Sequence, residues 1–264
     1  MDSIDKKKNI YYARTYRRLQ INIGLSLIFA GILIIPSIIL LVLNMDNITE
    51  YICRLGTEVL SKLIPADIIQ TKTTDYSIIN SMKYIELPTF YPSDSIIIWN
   101  LISCLILIIL LQFIQKKGRP LVTFLLFAIV IHVVSCAYFC FELGKFPYTL
   151  GVYSDLYIKQ QIGTWLAFII LAGMVVSFVG EKGYLYKLVT YVGIMAYSIV
   201  FGTVRYILYL FLLYKYSVLY MALLFFVVGP MFDFAYFVGI YAAFVNKITK
   251  DYELGKKKGA WKWS

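Results

Sequence analysis

The sequence predicts an all-α membrane protein: a polytopic helical bundle of about six transmembrane helices, with N- and C-termini cytoplasmic. Three observations predict it. Of the 264 residues 60% are apolar and 15% charged, with a mean hydropathy of +0.75, whereas a soluble domain carries about 45–50% apolar and about 25% charged residues. The apolar residues gather in runs of 18 or more, each able to cross roughly 30 Å of hydrocarbon as a helix. Finally, Lys and Arg concentrate in alternate gaps between those runs, the pattern that fixes orientation. Lipid offers no hydrogen-bond partner, so each run must satisfy its own backbone, and the lack of period-2 alternation selects helices over a barrel.

The expected spans are 20–44, 95–115, 120–142, 161–180, 188–213 and 218–246. The first follows a basic stretch, as a signal peptide would, but it outruns the 7–15 residues of such a core and meets no small-residue cleavage site; it is expected to be an uncleaved anchor. Segments 1–19, 116–119, 181–187 and 247–264 hold 17 of the 25 Lys and Arg residues and place themselves in the cytoplasm. The net charge of +10 would ordinarily point to nucleic acid. Here the cations flank the spans, where anionic lipid headgroups are the partner, and nucleic acid is not. The expected location is the cell membrane, and no oligomeric state is assigned.

Outside the membrane the long soluble stretch is 45–94. From Asn47 to Ile64 its apolar residues share one helical face, with an N-cap at Asp46 or Asn47 and Pro65 as the stop. This is an interfacial helix on the outer leaflet, and two roles stay open for it: covering the bundle, or receiving substrate at the bilayer surface. Strand-like fragments at Tyr76–Ile79 and Lys83–Leu87 suggest a small hairpin. A second outer loop is expected over 143–160, and a third of about four residues. No fixed-period repeat, linker or second domain interrupts 1–264.

Ionisable groups inside a span cost at least about 2.5–3.5 kcal/mol and so face a partner or a cavity. His132, Arg205, Asp233 and the thiol Cys104 are the positions of interest. Arg205 and Asp233 are the opposite charges of the spans, and each needs the other to avoid standing alone in lipid. A count of about 1.5 Å per residue from the outer ends leaves about 10 Å between their depths, which strains a direct contact. Packing and substrate anchoring by Asp233 both remain open for this pair. Cys104 with His132 would supply an activated thiol, since an imidazolium lowers a thiol pKa. The ordinary alternative is an inert buried cysteine and a histidine satisfied by a neighbour. His132, Cys136 and Cys140 recur every four residues, but no third and fourth ligand accompanies them, so a metal is rejected. Cys53 lacks an evident disulfide partner, with Cys140 the one alternative. Phosphate loops, dinucleotide fingerprints, zincin motifs and nucleophile elbows are missing, and no cofactor is expected.

Residues 188–246 run as an in-to-out helix ending near Phe201-Gly-Thr-Val-Arg205-Tyr-Ile, a short outer turn, and a helix containing Phe232-Asp-Phe-Ala-Tyr-Phe-Val-Gly. This stretch resembles the C-terminal half of the exosortase and archaeosortase family. Those are multipass membrane cysteine transpeptidases or proteases acting on C-terminal sorting signals at the outer face. Their pattern is a Cys opening an out-to-in helix, an Arg late in the next helix, and a His or similar residue early in the one after. Arg205 matches the arginine and Asp233 stands near the histidine. Where the Cys should stand, this chain reads Gln160-Gln161-Ile162-Gly163-Thr164. Cys104 opens an out-to-in helix one hairpin too early, after Tyr84-Ile-Glu-Leu-Pro88.

Two functional expectations follow. On the resemblance, Cys104, His132 and Arg205 form a catalytic set, with Cys104 attacking a carbonyl, Arg205 steadying the developing charge and the substrate a protein or peptide with a C-terminal membrane anchor. The alternative is a non-enzymatic scaffold, accessory subunit or small-solute channel component with a structural Arg205–Asp233 pair. A secondary transporter is disfavoured, because Gly229-Pro230 has no counterpart in the other half.

Overall fold

A computed structural model of the chain describes residues 17–19, 22–76, 81–114, 119–142, 146–178, 183–253 and 261–263. Helix α1 spans Ile23–Leu43 and opens with the Asn22 side chain accepting from the Leu25 amide at 3.3 Å. After Asn44 the chain re-enters a helix at once, α2 over Met45–Leu60. Then come strands β2 (Gln70–Asp75) and β3 (Ser81–Glu86), and helices α3 (Asp94–Ile114), α4 (Arg119–Glu142), α5 (Leu150–Phe178) and α6 (Tyr184–Lys215). The last span opens with a 3-10 turn at Val218–Tyr220, continues as a π-helical segment over Leu223–Val228 and ends as α7, Gly229–Glu253. Strands β1 (Arg17–Leu19) and β4 (Trp261–Trp263) pair antiparallel. Among the described residues six helices are long and apolar enough to cross a membrane; the protein is a polytopic integral membrane helical bundle.

The outer segment departs from expectation in two places. Helix α2 ends at Leu60, short of Ile64. Its apolar face covers the bundle, one of the two roles left open for it. Ile52, Cys53 and Leu60 are buried against the bundle, and Thr49 Oγ1 accepts the Lys83 amide at 3.0 Å. The first hairpin strand is the polar Gln70–Asp75, not Tyr76–Ile79, of which 77–79 lie outside the described residues. The reason is that β3 carries the burial, with Met82 and Ile85 fully covered, while β2 remains exposed along nearly all its length and needs no apolar face. Ion pairs tie the cap together, Lys83 to Glu50 at 2.7 Å and Lys72 to Glu86. The Lys83 bond holds the Glu50 carboxyl below its usual range, and burial pushes the Cys53 thiol up to about 12.

The larger correction concerns 143–160. From Leu150 onward this is helix, so α5 begins eleven residues before the expected span, and 143–145 lie outside the described residues. The start is fixed by threonines: Thr149 Oγ1 accepts the Val152 amide at 3.2 Å and Thr89 Oγ1 the Leu150 amide at 2.9 Å. Gly151, which reads as a loop residue, is needed for close approach, since a Cβ there would lie 2.9 Å from Glu86 Oε1. The tyrosines of this stretch point inward: Tyr153 and Tyr157 are buried.

Gly229-Pro230 does disturb the last helix. Gly229 donates its amide to Leu224 five residues back, closing the π-helical segment, and Pro230 has no amide to donate.

Candidate functional site

The principal polar cluster centres on Arg205, 5% exposed, two-thirds of the way along α6. Its Nε donates to Tyr157 Oη at 2.6 Å and its Nη1 to the Gly229 carbonyl at 2.7 Å. Its Nη2 donates to Gln161 Oε1 and to Asp233 Oδ2, each at 2.9 Å. A guanidinium has five N–H donors, so four are engaged by α5, the π–α junction and α7. Asp233 is held in turn: Tyr236 donates to Oδ1 at 3.3 Å and lies 2.7 Å from Ser198 Oγ. The buried ion pair expected from composition is therefore present and heavily bonded. The depth gap closes because α6 runs on to Lys215, which sets Arg205 about 15 Å and Asp233 about 22 Å below their outer ends. An extended arginine covers the remainder.

Above the arginine stands a stack of tyrosines. Tyr157 lies parallel to Tyr206 with ring centroids 5.5 Å apart and meets Tyr209 edge-on at 5.8 Å. Tyr206 Oη accepts the Ile85 amide at 2.9 Å and lies 2.6 Å from Ser154 Oγ. Thus the outer hairpin is bonded directly to the intramembrane core. Gly202 makes this geometry possible from the other side, because a Cβ there would lie 2.7 Å from Gln161 Nε2. Tyr157, Gln161, Tyr206 and Ser154 are the partners that sequence reading missed. A signal existed: Tyr153, Tyr157, Gln161 and Trp165 recur every four residues, one stripe of a helix, but three of the residues concerned fell in or at the edge of the supposed loop.

Cys104 and His132 stand apart from this cluster, on α3 and α4. His132 Nε2 meets Asn100 Oδ1 at 3.0 Å, and Tyr220 donates to the same oxygen at 2.9 Å. Tyr220 also stacks on the imidazole with centroids 5.2 Å apart. An amide oxygen only accepts, so Nε2 carries the proton and Nδ1 is an acceptor without a partner among the described residues. Cys104 and His132 border one cavity of about 210 Å³, otherwise walled by leucines, Ala128 and Ile129. Its wall carries no arginine and no Asn or Gln amide.

The structure thus divides the expected catalytic set. Arg205 joins Asp233, Tyr157 and Gln161; Cys104 joins His132 along an apolar cavity; Arg205 spends its donors elsewhere. The division is a matter of helix placement, since Arg205 faces α5 and α7, whereas α4 packs on α3 and on the 3-10 and π segments of the last span. All four cysteines are free thiols, Cys53 and Cys140 included, and among the described residues no group of three His, Cys, Asp or Glu converges to hold a metal. Compared with known proteins, the chain matches no family model, no curated protein and no solved structure.

Proposed function

We propose that this is a non-catalytic membrane component, a scaffold or accessory subunit, in which the Arg205–Asp233 network clasps α5, α6 and α7 and fastens the extracytoplasmic cap to them. The observation that carries the reading is that four of the five Arg205 donors are engaged inside the protein. A group that steadies charge on a substrate keeps donors aimed at an open reacting position; this one aims them at its own fold. The resemblance to the exosortase family agrees with this in one respect. Two residues of the preceding helix, Tyr157 and Gln161, bond Arg205; Gln161 stands in the stretch where that family carries its thiol, and a carboxamide is no nucleophile.

The reading predicts that Arg205→Gln in the detergent-solubilised full chain unfolds at a markedly lower temperature than wild type, and that Arg205→Gln/Asp233→Asn recovers part of the loss, because the double variant strands no charge. A wild-type melting temperature for Arg205→Gln would refute the clasp.

A second reading rests on a separate observation, the Cys104–His132–Asn100 neighbourhood, in which an amide orients an imidazole whose other nitrogen is an unpartnered acceptor beside the cavity that holds the thiol. Cysteine peptidase chemistry uses such parts. Against it, the thiol makes no hydrogen bond to the ring, and no charge-stabilising donor borders the cavity. Rapid alkylation of Cys104 by a small reagent added outside intact cells, slowed by His132→Ala, would favour it; an inert thiol retires it.

A further inference from the structure

Beside the tyrosine stack, the outer ends of α5 and of the last span enclose a cavity of about 260 Å³. Tyr153 and Leu156 form one wall, and Ala222, Phe225 and Phe226 another. The π-helical register sets Phe225 and Phe226 against each other with centroids 5.1 Å apart, and Phe225 meets Tyr153 edge-on at 6.1 Å. Leu156 and Phe226 are exposed on the membrane-spanning surface, so the cavity is continuous with the face the bundle presents to lipid.

Depth and chemistry narrow the occupant. Tyr153 lies about 5 Å and Phe225 about 10 Å below the outer helix ends, the levels of the ester groups and upper methylenes of the outer leaflet. The wall is almost wholly apolar and none of its lining residues is charged, so an ionised end has nothing to meet. We propose that this cavity binds one acyl chain of an outer-leaflet lipid, the chain lying along Leu156, Phe225 and Phe226.

The test uses the full chain in nanodiscs of phosphatidylcholine doped with phosphatidylcholine bearing a diazirine on one acyl chain, followed by photolysis and peptide mapping. Labelling should be severalfold higher at Leu156 and Met221–Phe226 than at Val200 and Val204, which face lipid on α6. Even labelling of the two sets in the wild-type protein overturns the proposal without any variant. Ala222→Phe and Leu156→Trp, which fill the cavity from opposite walls, should each bring labelling down to the α6 level; a properly melting variant that keeps the excess refutes the site.

Discussion

Two polar clusters lie inside this bundle, and they differ in how they are held. Around Arg205, three helices and the outer hairpin contribute bonds, and Arg205, Asp233, Tyr206 and Tyr236 are each hydrogen-bonded more than once. Around His132, a single amide oxygen ties the imidazole to Tyr220, and the thiol beside it has only apolar neighbours on the cavity wall. Composition alone rates all of these positions alike, as polar groups at membrane depth. What separates them is the number of rigid elements that converge on each, and that number decides whether removing one group strands others.

Asp233→Asn is the change with the largest expected effect, since it leaves the Arg205 charge buried and unpaired, at a cost of about 3–5 kcal/mol. Chemical or thermal unfolding of the full chain measures it, and a loss below about 1 kcal/mol, the level of an exposed pair, would erase the contrast between the clusters. Tyr206→Phe tests the tie from core to cap. It leaves the Ile85 amide and Ser154 hydroxyl without their shared partner, so a loss of about 1–3 kcal/mol is expected, together with faster amide exchange at Ile85. Gly202→Ala pushes against Gln161 and should cost about 1–3 kcal/mol as overpacking. In Gln161→Ala the same substitution should cost much less, because the two side chains share one space.

The second cluster should respond weakly. His132→Phe keeps the ring on Tyr220 and leaves Asn100 Oδ1 its bond from Tyr220, so about 1 kcal/mol is expected. Combined with Asp233→Asn, the two losses should add within about 0.5 kcal/mol, as for sites sharing no partner; strong coupling would show the clusters to be one. The last expected effect, absent at neutral pH, is an alkaline pH dependence in the cap. The folded-state pKa of Cys53 is raised from 9.0 to about 12 by burial, so its contribution is complete below about pH 9 and is lost as the pH rises towards 12. Cys53→Ala should flatten that alkaline limb relative to wild type, and identical limbs would show that the thiol is not buried in solution.

Much of the architecture was legible from residue types because hydrocarbon is an unforgiving solvent. A run such as 23–43 must be helical, the basic flanks must remain inside, and Arg205 requires Asp233 whatever the fold. The amphipathic helix after Asn44 and the strand around Lys83 were legible from periodicity alone. The candidate site was legible only in part. Arg205, Asp233, His132 and Cys104 stand out as isolated polar residues, whereas Tyr157, Gln161 and Asn100 do not, because tyrosine and amide side chains are ordinary near a membrane surface and their worth depends on what they touch.

Sequence by itself therefore determined the class of fold, the spans and the need for an internal counter-ion, since each follows from the cost of exposing backbone or charge to lipid. Tertiary structure alone decided that 150–160 is buried helix rather than loop, and that Gln161 and Tyr157 complete the shell of Arg205. It also decided that Cys104 and His132 belong to a different neighbourhood. Those outcomes depend on which helices pack together, and no local pattern records that choice, because an apolar helix face is equally at home against lipid or against another helix.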